Sequence, residues 1–236
     1  MFSSQAFATA IRLNPSINLL AESKNILAIP TALPDEGKAP GLVFVGQRQE
    51  PLPVRLVIFA GSEEEDSVGS LALLKLLVDL DLAPLLAHDY ALFCYLSFPR
   101  TAKTYFDQHW NVHWDKTPLP GELPTFDADG FIFIRANDSV GGLQIEASDR
   151  TIANEVAWPA VVRASKIQPL DVEPVRCVQA NRVSGAQTSD LPANAFRLAI
   201  RTPWVAETED QIAAIGIALK EIFLQYRALR NFAKAL

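Results

Sequence analysis

The chain has 236 residues, 49% of them hydrophobic and 20% charged, with a formal net charge of −6 and a pI near 5.1. This is an ordinary globular composition, long enough for one large α/β domain with a substantial core. It argues against nucleic-acid and anionic-membrane partners, because no basic stripe is present to neutralise phosphates. The opening residues, Met1 to Phe7, carry neither a basic segment nor a long apolar core, so no signal peptide is expected. The apolar stretch from Leu71 to Phe98 is interrupted by Lys75, Asp79, Asp81, Pro84, His88 and Asp89, so no membrane helix is expected there. The two cysteines, Cys94 and Cys177, fall in strand-like runs and read as buried free thiols in a reducing cytoplasm.

Taken in order, Ser3 to Leu13 has helical spacing and stops at Asn14-Pro15. Asn25 to Pro30 and Gly41 to Gly46 read as short strands. Val54 to Ala60 is a continuous apolar run closed by Gly61, the pattern of a strand covered on both faces. An acidic loop, Ser62 to Asp66, leads into a helix whose Leu71, Leu74, Leu77, Val78 and Leu80 share one side, with Asp66 or Ser67 as its cap. Ala91 to Phe98 and Asp129 to Arg135 are further strands, the second followed by a loop from Ala136 to Gly142. Asp149 to Ser165 is helical with a break expected at Pro159. Val172 to Val178 alternates as a strand, and Ala195 to Pro203 is the last one. Glu207 to Ala235 is a long amphipathic helix. No repeat, low-complexity segment or long linker divides the chain, so residues 1–236 are read as a single domain.

The stretch Phe59-Ala60-Gly61, followed after seven residues by Gly69-Ser70-Leu71-Ala72-Leu73, resembles the strand-loop-helix of the zinc carboxypeptidases, in the branch of succinylglutamate desuccinylase and aspartoacylase. The resemblance runs through nearly the whole chain in element order. It implies a three-layer α/β/α fold with a central mixed, mostly parallel sheet, of the zinc-dependent exopeptidase type. In that family the loop reads Gly-x-His-Gly-x-Glu-x-x-Gly and supplies two zinc ligands; here Glu63 stands at the histidine and Asp66 at the glutamate. The third ligand, a histidine closing a later strand, corresponds to Arg135, and in the aspartate pair that follows Asn137 replaces the first while Asp138 matches the second. The general base, the glutamate of a Leu-Glu-Thr-Pro motif, corresponds to Arg201. The Asn-Arg pair that grips the substrate carboxylate falls at Asn111-Val112, where only Asn111 matches.

A catalytic zinc needs about three nitrogen, sulfur or oxygen donors and an open position for water. Arginine has no lone pair to give and stays protonated, so it serves neither as ligand nor as general base. The replacements keep the charge balanced: Glu63, Asp66, Arg135 and Arg201 sum to zero. The expectation is that Arg135, with Arg201, stands in for the metal and pairs with Glu63 or Asp66, bidentate pairing suiting a guanidinium. The plainer alternative is that Glu63 to Asp66 is a solvated acidic turn. No resident metal or cofactor is expected.

His109-Trp110-Asn111-Val112-His113-Trp114 puts two histidines and two tryptophans four apart. An aromatic patch over the cleft or toward a partner is preferred there to metal chelation. The leading functional expectation is a pseudoenzyme that keeps the carboxypeptidase-like scaffold. Its former site binds a small polar or peptide-like ligand, with Asn111, Asn137 and Asp138 as candidate contacts, or serves only structurally. The alternative is a metal-dependent hydrolase, a carboxypeptidase or acyl-amino-acid amidohydrolase, with a rearranged site drawing on His109, His113, Glu63 or Asp66. A third reading is a homo-oligomer, or a subunit of an active paralogue, assembled through Trp110 and Trp114.

Overall fold

A computed structural model describes residues 23, 25–29, 41–46, 53–60, 67–96, 128–138, 140–167, 170–178 and 195–235. The expected first helix at Ser3 to Leu13, the loop holding Glu63 and Asp66, and the stretch from His109 to Trp114 lie outside the described residues.

Among the described residues the strands form one eight-stranded sheet. In chain order its strands are β1 (Ile26–Ile29), β2 (Gly41–Val45), β3 (Val54–Ala60), β4 (Tyr90–Leu96), β5 (Gly130–Asp138), β6 (Gln144–Ala147), β7 (Arg176–Cys177) and β8 (Phe196–Pro203). They lie in the order β1-β2-β4-β3-β5-β8-β6-β7. The centre, β4-β3-β5-β8, is parallel, while β1-β2, β2-β4 and β6-β8 are antiparallel. This is the mixed α/β architecture expected from the sequence. The three main helices are α1 (Ser67–Leu82), α2 (Trp158–Ile167) and α3 (Thr208–Ala235).

Both faces of the central strands are buried, which is why these strands read as unbroken hydrophobic runs. On one face Leu56, Ile58, Leu92, Ile132, Leu198 and their neighbours pack with α1, α2 and α3. On the other, Val57, Phe93, Phe131 and Ala199 surround Phe59, whose ring stacks on Tyr95 at 5.2 Å and on Phe133 at 5.3 Å. No described helix contributes to that second cluster.

α1 was expected to be amphipathic, but among its described side chains only Lys75 and Leu82 are exposed. It lies between the sheet and α3, so leucines on opposite sides of the helix both find apolar neighbours. The helix around Pro159 is widened rather than broken. Asp149 caps its start, accepting from the Ile152 N–H at 3.0 Å, and Ala153–Ala157 then form a π turn in which the Trp158 N–H reaches back to the Ala153 carbonyl. A proline inside an α-helix loses one backbone bond and clashes with the preceding turn. Opening that turn lets the helix continue. The strand expected over Val172 to Val178 shrinks to Arg176–Cys177, which is exposed.

The chain leaves β3 for β4 on one side and leaves β5 for β6 on the other. β3 and β5 are neighbours, so the carboxyl ends of these two strands mark the point where connections diverge, the usual place for a binding crevice in an open α/β sheet. Among the described residues, no helix is long and apolar enough to cross a membrane.

Candidate functional site

Arg135 and Arg201 meet at that edge. They are paired in register across β5 and β8, and strict alternation along each strand puts both side chains on the face opposite α1 and α3. Two cationic side chains rooted one strand spacing apart create a local need for counter-charge, greater where water is excluded. A carboxylate relieves it. Arg201 Nη2 donates to Glu146 Oε2 at 3.0 Å, with the two side chains 20% and 9% exposed. A pair this enclosed is screened far less than a surface salt bridge.

Glu146 comes from β6, the strand that pairs antiparallel with β8 and sets Gln144 directly beside Arg201. Gln144 and Glu146 are two residues apart, so they share the face that carries the arginines. The Gln144 amide is tied in turn to Glu173: Gln144 Nε2 donates to Glu173 Oε2, Gly141 N–H donates to Glu173 Oε1 at 2.7 Å, and Arg176 Nη2 donates to Glu173 Oε2 at 3.3 Å. Leu143 N–H to the Asp171 carbonyl (2.7 Å) and Glu173 N–H to the Leu143 carbonyl (2.9 Å) complete a clasp between the two segments. Gly142 is required there, since a Cβ on it would sit 2.3 Å from the Asp171 carbonyl oxygen.

Two further polar side chains lie on this face. Arg197 lies on the same face four residues before Arg201 and is 5% exposed, and burial lowers its guanidinium pKa. At the carboxyl end of β4, burial raises the phenol of Tyr95, which keeps it neutral.

Of the residues singled out in the sequence, the fold thus brings Arg135 and Arg201 together. Among the described residues Glu146 supplies a carboxylate to Arg201, and the sequence reading did not identify it. β5 also runs on past Arg135 to Asp138, with a register shift between Arg135 and Asp138, so Asn137 and Asp138 end a strand instead of lying in a loop. Glu63, Asp66 and Asn111 lie outside the described residues. Glu146 and Gln144 were missed because β6 was not recognised. The signal was present: Leu143-Gln144-Ile145-Glu146-Ala147 alternates apolar and polar.

The resemblance implies a zinc ion bounded by the ends of β3, β5 and β8. The described residues do not fit one. Two of its positions carry permanently charged donors, and one of those guanidiniums is already joined to Glu146. Among the described residues no three His, Cys, Asp or Glu side chains come together to hold a metal ion.

No protein-family model and no curated protein sequence matches the chain. Solved structures do. A metallo-carboxypeptidase from Burkholderia cenocepacia superposes with a TM-score of 0.65 at 10% identity, covering 92% of this chain and 69% of that one. A provisionally assigned metallopeptidase from Shewanella baltica OS155 gives 0.62 at 9% identity, covering 92% and 90%. A metallo-carboxypeptidase from Pseudomonas aeruginosa gives 0.55 at 9% identity, covering 92% and 68%. Likeness at such identities speaks for architecture and leaves activity to the site. The chain has the α/β fold of the metallo-carboxypeptidases.

Proposed function

We propose that this protein is a non-catalytic member of the carboxypeptidase-like fold whose sheet-edge crevice holds a small polar or peptide-like ligand through Arg135 and Arg201. One observation carries the reading. The guanidinium of Arg201, standing where the resembling family keeps its general base, is joined to Glu146 at 3.0 Å and lies in register with Arg135. An arginine in that place binds and orients anionic oxygens but does not take a proton from water. Donors fixed on neighbouring strands also need little reorganisation when a carboxylate arrives.

Elemental analysis of the purified protein, paired with an assay for amide cleavage of acylated amino acids, tests the proposal. The expected result is substoichiometric zinc and no cleavage above background. Stoichiometric zinc that is lost in Glu63→Gln or Asp66→Asn, accompanied by turnover, would replace this reading with a hydrolase built on a rearranged metal site.

A further inference from the structure

We propose that the chain forms a two-fold dimer with a second copy of itself, through the surface where α2 ends and α3 begins. The inference is independent of the ligand reading above.

β8 runs into a turn that leaves two apolar side chains in water: Trp204 is 69% exposed and Val205 78%. The turn beneath them is fixed from inside the fold. Thr202 and Gln211 are both buried; Thr202 Oγ1 donates to Gln211 Oε1 at 2.8 Å, and Gln211 Nε2 donates to the Ala206 carbonyl at 2.8 Å. The Ala206 N–H closes the turn on the Pro203 carbonyl at 3.1 Å. A tip held in this way has little backbone freedom left to lose when it is covered, which favours association.

The end of α2 brings a third such side chain to the same edge. β6 starts beside Arg201 and runs antiparallel to β8, and the helical residues 150–167 then lead back toward the carboxyl ends of the parallel strands. α2 and α3 pack together in one core, so Ile167, 49% exposed, returns to the edge where α3 starts. Single exposed apolar residues are commonplace, whereas a tryptophan grouped with aliphatic neighbours has the make-up of an interface centre.

The surrounding charges select the occupant. Arg163 and Lys166 are exposed on α2, and Glu207 and Glu209 are exposed at the start of α3. None of these four side chains makes an ion pair among the described residues. The surface is therefore basic toward α2 and acidic toward α3, and a partner of one sign would be attracted by one half and repelled by the other. A second copy turned about a two-fold axis lays acidic on basic twice, with the Trp204 tips between. Copies of a chain with net charge −6 repel in most orientations, and a surface carrying both signs is where they can meet.

Sedimentation velocity of the full chain at increasing concentration tests the proposal. The wild type is expected to move from the 25.9 kDa chain to twice that mass. Trp204→Glu should weaken the dimer by roughly 30-fold or more. Two charge-reversed variants, Arg163→Glu with Lys166→Glu and Glu207→Lys with Glu209→Lys, should each weaken it by roughly 10-fold. All four reversals together should restore it, which holds the test open even if Trp204→Glu does not fold, because misfolding is not repaired by further substitution. A wild type that stays at 25.9 kDa throughout would overturn the proposal. So would a dimer indifferent to Trp204→Glu, or one that the combined reversal fails to restore.

Discussion

The two edges of the sheet use their polar groups in different ways. At the amino ends of the parallel strands, charged and phenolic groups tie the sheet to α3. Arg227 pairs with Asp89 at 2.6 Å, donates to the Leu86 carbonyl at 2.7 Å and lies over the Tyr90 ring. The Tyr90 hydroxyl donates to the Phe223 carbonyl at 2.6 Å, and Asp129 accepts from the Arg55 N–H at 2.8 Å. At the carboxyl ends, Arg135, Arg201, Gln144, Glu146 and Glu173 gather on the opposite face, where no described helix contributes. Groups that join separate layers hold the fold together. Groups confined to one layer make no such tie between layers.

The largest effect is expected in alkali; it loads the amino edge through Tyr90 and Tyr226, while Tyr95 at the carboxyl end of β4 shifts in the same direction. Burial, and next the nearby Asp129, push the Tyr226 phenol up to about 12 from its ordinary 10.0. Burial, and next Asp89, raise the Tyr90 phenol further in the same direction. Below pH 10 both states keep these protons and their stabilisation is complete. Between pH 10 and 12 the unfolded chain ionises first, so stability falls as pH rises. For the fully buried Tyr90 the loss is about 1.4 kcal/mol per pH unit. Tyrosinate absorbance and far-UV circular dichroism should therefore change together, in one cooperative transition. Phenols that titrate freely near 10 while the helices persist would mean that the amino edge is not the clamp described here.

A smaller effect is expected at the carboxyl edge from Gly142→Ala. The added methyl meets the Asp171 carbonyl, so the clasp between residues 141–144 and 171–173 must shift, at about 1–3 kcal/mol. Hydrogen exchange checks the location. The Leu143 and Glu173 amides should lose protection while the amides of β3 and β4 keep theirs. Protection lost evenly through the sheet would tie the two edges into one cooperative unit.

How much of this was legible in the sequence follows from how each feature is encoded. β3, β4, β5 and β8 are buried on both faces, and their apolar runs declared them. Arg135 and Arg201 were singled out because the family resemblance sets them at the positions of a zinc-binding histidine and the general base. β6 is four residues long and only half apolar, and it borrows its stability from β8, so local pattern undersold it. Its loss hid Glu146 and Gln144, and with them a carboxylate that pairs with Arg201. α1 was read as one-sided because the sequence does not reveal that α3 folds back over its outer surface. The π turn before Pro159 answers a hydrogen-bonding problem within the helix, whereas sequence rules for proline point only to an ending.

The finest test of the contrast is Glu146→Gln. A glutamine keeps an acceptor for Arg201 but removes the charge, so the pair weakens and a partly buried guanidinium loses its counter-ion. The expected loss of stability is about 1 kcal/mol, readable by denaturant titration. The same change removes the carboxylate that competes with a ligand for Arg201, so malate and succinate should both bind more tightly, by roughly 3-fold or more. A purely structural salt bridge predicts otherwise: a loosened edge would bind dicarboxylates no better, or worse. Opposite signs in stability and affinity would identify Glu146 as the intramolecular stand-in for the ligand's own carboxylate, with Arg201 exchanging one for the other.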